Sequence, residues 1–247
     1  MSDFTLYRGD CRDILPTIGA EIDAIVSDPP YGIRMDTDYK RFTHDYSHAG
    51  NNHRPIEGDG VDFDPQHLLD FKKVILFGYN RFAGRVPCGT LLIWDKRFKN
   101  GKAFLSDGEI AWMKSQYKDI GPHMGGYGLY IFSETSQGFV RPEPVQHPTQ
   151  KPVSVMKWCI GRLSLPAGST ICDPYMGSGT TGVAALQLGY KFIGIEIDPE
   201  YYAIAEKRIA AAQAQSVMLF QTGAEPNNGV QPTADHAAQS SLFEPEQ

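Results

Sequence analysis

A tetrapeptide near the start of the chain, Asp28-Pro29-Pro30-Tyr31, combines two hydrogen-bond acceptors with an aromatic ring. It follows the apolar run of residues 22–27, and two prolines cannot continue a central strand or donate to its ladder. The motif therefore lies just past the carboxyl end of a strand, where ligands bind in open α/β sheets. The Asp28 carboxylate and the Pro29 carbonyl can each accept one N–H of an amino group, and Tyr31 can stack on a planar ring.

A second motif occupies residues 173–182 and reads Asp-Pro-Tyr-Met-Gly-Ser-Gly-Thr-Thr-Gly. It follows the strand-like run Thr170–Cys172 and precedes a helical pattern, and the next strand-like run ends at Glu196. Glycines at such a turn let the backbone approach a ligand closely, and a carboxylate after the next strand can accept from two ribose hydroxyls. This geometry suits a nucleoside cofactor, either NAD or S-adenosylmethionine.

Together the two motifs resemble the amino-methylating DNA methyltransferases, which act on N6 of adenine or N4 of cytosine. The catalytic motif precedes the cofactor motif, an order similar to that of the circularly permuted β group of the family. A third match is the hexapeptide His147-Pro148-Thr149-Gln150-Lys151-Pro152. The resemblance covers residues 4–212 and implies a doubly wound, mostly parallel Rossmann-like α/β sheet with helices on both faces.

The resemblance implies that S-adenosylmethionine is the cofactor. In this family the hexapeptide borders the methionine end, where Lys151 would neutralise the cofactor carboxylate and Thr149 would donate to it. No second mononucleotide half follows in the sequence, which favours the methyl donor over NAD. The remaining expected cofactor contacts are Asp10, Cys11, Asp28, Asp173, Pro174, Gly177, Ser178, Gly179, Thr180, Glu196 and Ile197.

The four residues 28–31 are the expected catalytic group. An exocyclic amino nitrogen is a poor nucleophile because its lone pair is delocalised into the ring, and the two acceptors would shift that density back. The target atom lies inside a duplex, so the base must be flipped out, and Tyr31 would stack on it. An Asp in the first position of the motif favours adenine N6, whereas Ser there is common in the cytosine-N4 enzymes.

The charge of the chain does not indicate a global field for nucleic acid. The net charge is −6, of which residues 214–247 carry −4 with no Lys or Arg, leaving −2 for residues 1–213. DNA would then be held by local basic patches. The candidates for DNA contact are Arg34, Lys40, Arg41, Arg54, Lys96 and Arg97.

Two segments of the predicted methyltransferase domain, residues 1–213, are expected to serve the DNA. Residues 32–60 are polar and rich in glycine and histidine, which indicates a flexible loop closing over the DNA or the flipped base. Residues 114–145 fall where the resembled β group reads its target, and the short segment predicts a short or relaxed site. His44 and His48 are interpreted as solvated loop histidines, and no metal is expected.

Residues 214–247 are rich in Ala, Gln, Pro and Asn, which predicts a disordered acidic tail. Within it, Gln239-Ser240-Ser241-Leu242-Phe243 resembles the pentapeptide by which bacterial replication proteins bind the sliding clamp. A chance match in a biased sequence is the alternative interpretation. A non-catalytic protein that binds DNA or the clamp is the rival function of another class.

The rest of the sequence indicates a reduced, cytoplasmic setting, in a bacterial or phage-infected cell at the nucleoid. The four cysteines have no C-x-x-C pairing, and no secretory signal or membrane-spanning run is evident. Many relatives in the resembled group dimerise, so a homodimer is an open expectation. Strands are predicted near residues 4–7, 22–27, 73–78, 89–95, 129–132, 170–172 and 192–196, with helices near 80–86, after Pro152, over 178–188 and from Asp198-Pro199 onward.

Overall fold

The computed structural model describes residues 3–34, 57–97, 107–114, 128–133 and 150–222, with the side chains of 217–222 left out. In this part of the chain the strands are β1 (Phe4–Arg8), β2 (Ala24–Ser27), β3 (Val74–Phe77), β4 (Thr90–Asp95), β5 (Gly108–Met113), β6 (Leu129–Ser133), β7 (Thr170–Asp173) and β8 (Lys191–Glu196). The helices are α1 (Cys11–Ile18), α2 (Tyr79–Phe82), α3 (Val153–Gly161), α4 (Thr180–Gln187) and α5 (Pro199–Thr222).

These strands form a single sheet in the order β1-β8-β7-β2-β3-β5-β4-β6. Every pair is parallel except those of β5, which runs antiparallel between β3 and β4. In the sheet, β7 and β2 are neighbours. The strand that follows β7 in the chain, β8, lies on the outer side of β7, and the strand that follows β2, β3, lies on the outer side of β2. The neighbours β7 and β2 therefore flank a topological switch point, where an open α/β sheet has its binding crevice.

Alternate residues of the buried strands face two separate cores, so the sheet is covered on both sides. Along β2, Val26 packs in the core formed with α3, α4 and α5, whereas Ile25 packs in the core formed with α1 and α2. The predicted fold class, a mostly parallel sheet with helices on both faces, is confirmed.

The local helix signals hold with small changes of boundary. Asp198 caps α5 by accepting from the backbone N–H of Glu200 at 2.7 Å, as its sequence predicted, and Gly189 follows α4 in the left-handed region with φ +79°. Pro152 lies at the capping position of α3 with extended backbone and not inside the first turn. No described helix is both long enough and apolar enough to span a bilayer.

Three features differ from the sequence expectations. Helix α1 lies between the first two predicted strands, where no helix was predicted, and strand β5 was not predicted either. Helix α5 continues to Thr222, so residues 214–222 are helical and the predicted disordered tail starts too early. The rest of that tail lies outside the described residues.

Candidate active site

Four carboxylates gather at one edge of the sheet because the parallel strands β1, β8, β7 and β2 all end there. Asp10, Glu196, Asp173 and Asp28 stand at or just after the last residues of these strands. The Ser27 hydroxyl at the end of β2 donates to Asp173 Oδ1 across the switch point, at 2.5 Å. The two predicted motifs, separated by more than a hundred residues in sequence, thus meet at this edge.

The Asp28 carboxylate is held from two sides. The Tyr31 hydroxyl donates to Oδ1, and the Lys151 ammonium lies 2.5 Å from Oδ2. Burial raises the pKa of Asp28, and the positive charge of Lys151 opposes that rise. The ring of Tyr31 fits against Gly78, where an added Cβ would stand 2.2 Å from Tyr31 Cε1. A glycine is therefore required at position 78 for this placement of the tyrosine.

Lys151 has partners other than the expected cofactor carboxylate. Its buried ammonium also lies 2.8 Å from Glu109 Oε2, and the second carboxylate oxygen of Glu109 accepts from Lys96. The two ammoniums lower the pKa of Glu109 to about 2, although burial by itself would raise it. Glu109 was missed at the sequence level because it belongs to β5, a strand that no turn or alternation signal indicated.

The glycine-rich loop packs as closely as its sequence suggested. The left-handed Gly179 (φ +83°) would place a Cβ 3.0 Å from Ala205 Cβ, and Gly182 would place one 2.7 Å from Ile209 Cδ1. Both contacts are with α5, so these glycines let that helix lie against the loop and the start of α4.

Glu196, the expected ribose-binding carboxylate, is the last residue of β8. Its Oε2 accepts from the backbone N–H of Gly177 at 2.8 Å, and its Oε1 accepts from that of Asp198 at 2.9 Å. Each carboxylate oxygen has a second lone pair, so the group can still accept from hydroxyls. Burial raises its pKa. The next residue, Ile197, is an expected cofactor contact and is 46 % exposed at the same edge.

Arg208 of α5 supports the loop and was not anticipated from the sequence. Its Nη1 donates to the Ser178 carbonyl at 2.5 Å, to Ser178 Oγ at 3.0 Å and to Thr180 Oγ1 at 3.3 Å. Ser178 and Thr180 are themselves buried. Their hydroxyls therefore serve the loop's internal structure.

Asp173, Cys11 and Asp10, three of the expected cofactor contacts, also have structural roles. Asp173 Oδ2 accepts from Thr181 at 2.6 Å, and burial raises the pKa of this carboxyl to about 6. Cys11 is buried against the sheet, where burial raises its pKa to about 11. Asp10 accepts from the Arg12 N–H at 2.8 Å and caps α1. Pro174 is buried in the turn that follows β7.

The expected DNA contacts divide into three groups. Arg34 is exposed in the left-handed region at φ 51°, and its N–H donates to the Asp59 carbonyl at 2.9 Å. Arg97 is exposed but forms a two-bond pair with Asp95, while Lys96 turns inward to Glu109. The third group, Lys40, Arg41 and Arg54, lies outside the described residues. So do the expected cofactor contact Thr149, the clamp-like peptide 239–243 and most of the segments 32–60 and 114–145.

This sheet, with Asp28 at the end of one central strand beside the glycine-rich loop that follows the next, is that of a Rossmann-like methyltransferase that uses S-adenosylmethionine. The family model described as DNA methylase matches residues 132–207. YubD of Escherichia coli (strain K12), named as a methylase, is 39 % identical over 247 residues, covering 92 % of this chain and 97 % of YubD. The chain belongs to the family of DNA methyltransferases that modify exocyclic amino groups.

Two further relatives match over very different lengths of the chain. The DNA adenine methyltransferase YhdJ of Escherichia coli (strain K12) is 27 % identical over 249 residues, covering 86 % of this chain and 84 % of YhdJ. The Type II methyltransferase M2.DpnII of Streptococcus pneumoniae is 50 % identical, but over 66 residues that span 27 % of this chain and 24 % of that protein.

Solved structures share the fold. The M1.HpyAVI–SAM complex superposes with a TM-score of 0.51 at 23 % identity, covering 83 % of this chain and 99 % of that one. The cytosine-N4-specific PvuII DNA methyltransferase superposes with a TM-score of 0.52 at 16 % identity, covering 88 % and 94 %. The fold is thus shared with a complex that contains SAM and with a protein named as cytosine-N4-specific.

Proposed function

We propose that this methyltransferase modifies the N6 amino group of adenine in duplex DNA. The observation that carries the proposal is the position of Asp28, a carboxylate at the end of β2 tied through Ser27 and Asp173 to the cofactor loop. An Asp in the first position of the motif favours adenine over cytosine, and the similarity to YhdJ, named an adenine methyltransferase, points the same way.

Each residue of the motif has a task in this reaction. Asp28 and the Pro29 carbonyl accept the two N–H groups of the amino nitrogen and return electron density to its lone pair. Pro29 and Pro30 keep the backbone direction fixed so that the second acceptor stays in place. S-adenosylmethionine would supply the methyl group from its sulfonium: as the new N–C bond forms, the C–S bond would break with its electron pair remaining on sulfur, and the proton released from the amino nitrogen would pass to solvent.

Base flipping brings the adenine to Asp28. Tyr31 is tethered to Asp28 by its hydroxyl, so its ring lies beside the place where the amino group must arrive. An aromatic ring there stabilises a flipped base by stacking, which contributes about 1–3 kcal/mol per base. Arg34 and Arg97 are the described cations proposed to contact the phosphates.

The test is the identity of the methylated nucleoside. We would incubate the protein with labelled S-adenosylmethionine and unmodified bacterial DNA, digest the DNA and identify the product by mass spectrometry. N6-methyladenine supports the proposal, whereas N4-methylcytosine keeps the mechanism and changes the substrate. Cofactor binding with no methylated nucleoside favours the non-catalytic DNA-binding alternative.

Asp28→Ala isolates the catalytic role. This variant loses the carboxylate acceptor, so we expect methyl transfer to fall by at least a thousandfold while calorimetry still detects cofactor binding. The matched control is Asp13→Ala, an exposed aspartate on α1, which should methylate like the wild type. Full activity in Asp28→Ala would overturn the mechanism.

The peptide Gln239–Phe243 remains a proposal for a sliding-clamp contact. Its Leu242-Phe243 pair suits a hydrophobic groove, with Gln239 making polar contacts. Leu242→Ala with Phe243→Ala should abolish clamp binding and leave methylation of short duplexes intact. A wild-type protein that shows no clamp binding at high micromolar concentration would end this proposal.

A further inference from the structure

A row of alternating charges leads away from the catalytic carboxylate into the sheet. Asp28 Oδ2 lies 2.5 Å from Lys151 Nζ, Lys151 Nζ lies 2.8 Å from Glu109 Oε2, and Lys96 Nζ donates to Glu109 Oε1. The four side chains come from the ends of β2, β4 and β5 and from the residue that precedes Pro152. They form a continuous path although their positions are scattered over the sequence.

The central ammonium of this row is shared between two carboxylates. Lys151 has its side chain only 5 % exposed, and its Nζ lies 5.1 Å from the centre of the Phe77 ring. A buried cation requires partners, and here Glu109 provides the second one. If Asp28 were the sole carboxylate partner, the whole positive charge would bear on the group that must accept the substrate's N–H.

Glu109 is itself held in place. Lys96 engages its Oε1 from the end of β4, and the Lys96 ammonium lies 4.4 Å from the centre of the Trp94 ring. Strand β5, which carries Glu109, is paired on both edges, with β3 and with β4. The carboxylate therefore reaches Lys151 from a rigid strand, and its second oxygen stays with Lys96.

We propose that Glu109 is a positioning residue for methyl transfer, holding Lys151 so that Asp28 keeps the orientation and electron density needed to activate the amino group. The inference rests on the proposed function, because it assigns Asp28 the task of accepting the amino N–H groups. Glu109 touches neither base nor cofactor in this scheme and acts only through Lys151.

The titratable groups that face Asp28 determine how the rate of methyl transfer is expected to depend on pH. They are Lys151, Glu109, the hydroxyl of Tyr31 and, across the switch point, Asp173. The negative charge of Glu109 raises the pKa of Asp28, and the positive charge of Lys151 lowers it. Removing Glu109 alone should therefore lower the pKa of Asp28, and removing Lys151 alone should raise it.

The first test is Glu109→Gln, measured as the single-turnover rate of methyl transfer to unmodified bacterial DNA across a pH series. The variant leaves Lys151 to Asp28, so we expect the rate to fall about tenfold at neutral pH. The acid limb of the rate should move to lower pH by about one unit or less, and the KM values for DNA and S-adenosylmethionine should change little.

A double variant distinguishes the proposed role of Glu109 from a loss of activity caused by misfolding. Lys151→Met alone would leave the buried Asp28 without a cation and facing Glu109, which keeps Lys96, and is expected to destabilise the protein. The double variant Glu109→Gln with Lys151→Met removes both charges together. Its acid limb should return toward the wild-type pH, because the two opposite effects on Asp28 cancel. A merely structural role for Glu109 predicts no such return.

The matched control is Glu206→Gln, an exposed glutamate on α5, which should keep the wild-type profile. Glu109→Gln with wild-type rates at every pH, or with a lower melting temperature and an unmoved acid limb, overturns the inference alone. A wild-type protein that methylates no base overturns the proposed function and the inference with it. The two failures are therefore distinguishable in one experiment.

Discussion

The cofactor half and the catalytic half of the crevice use carboxylates in opposite ways. In the cofactor half, β7-α4-β8, Asp173 and Glu196 accept hydrogen bonds from hydroxyls and backbone N–H groups, which carry no charge. In the catalytic half, Asp28 and Glu109 face the ammoniums of Lys151 and Lys96. Neutral donors fix the orientation of a carboxylate, whereas ammoniums also lower its pKa.

The largest expected effect on stability comes from a substitution that disrupts the packing of the cofactor half. Gly182→Val should lower the free energy of unfolding by about 1–3 kcal/mol or more, because its side chain must enter the space of Phe192 and Ile209. Even a Cβ at this position would lie 2.7 Å from Phe192 Cε1. Urea unfolding measures the loss.

Gly161→Ala is the control for that substitution. Gly161 ends α3, and an added Cβ there would meet nothing within 4 Å. We expect its stability to stay within about 0.5 kcal/mol of the wild type. A Gly182→Val protein as stable as Gly161→Ala would show that the loop does not depend on close contact with α5.

The next largest effect is on the pH dependence of stability, which should differ between the two halves of the crevice. Burial raises the pKa of Asp173 from 3.8 to about 6, so its contribution to stability is full below pH 3.8 and is lost as pH rises through 6. The ammoniums lower the pKa of Glu109 from 4.5 to about 2, so its contribution is full above pH 4.5 and is lost as pH falls through 2. The two halves should therefore respond to pH with opposite signs.

Asp173→Asn and Glu109→Gln report the two responses separately. The stability difference between wild type and Asp173→Asn should change by up to about 3 kcal/mol, falling as pH rises from 4 to 7. The difference between wild type and Glu109→Gln should shrink as pH falls from 5 toward 2. Urea unfolding at a series of pH values measures both, and slopes of the same sign would refute the contrast.

The smallest effect concerns the support of the loop by α5. Arg208→Met removes a cationic donor to the Ser178 carbonyl and should weaken binding of S-adenosylmethionine about tenfold, because the loop loses a charge-assisted hydrogen bond. The rate of methyl transfer at saturating cofactor should change little. Calorimetric titration tests this, with the exposed neighbour Lys207→Met as a control that should bind like the wild type.

The elements of the cofactor half were predictable because their signals are local. Apolar runs, the glycine-rich turn and Asp198-Pro199 each mark a boundary within a few residues, so β7, α4, β8 and the start of α5 were all expected. In contrast, α1 contains Pro16 and begins directly after a turn-forming Gly9-Asp10, which hides a helix. Strand β5 owes its place to pairing with β3 and β4, residues distant in sequence.

The sequence by itself determined where the candidate groups of the crevice lie: a predicted acceptor pair at Asp28-Pro29, a predicted nucleoside loop at residues 177–182 and a predicted ribose acceptor at Glu196. Motif spacing encodes these, because a strand end and the turn after it are local structures. Only the tertiary structure decided that Lys151 faces Asp28 and Glu109, and that Arg208 supports the loop. Buried charges take the partners that packing brings within a few ångströms, and no local pattern records that choice.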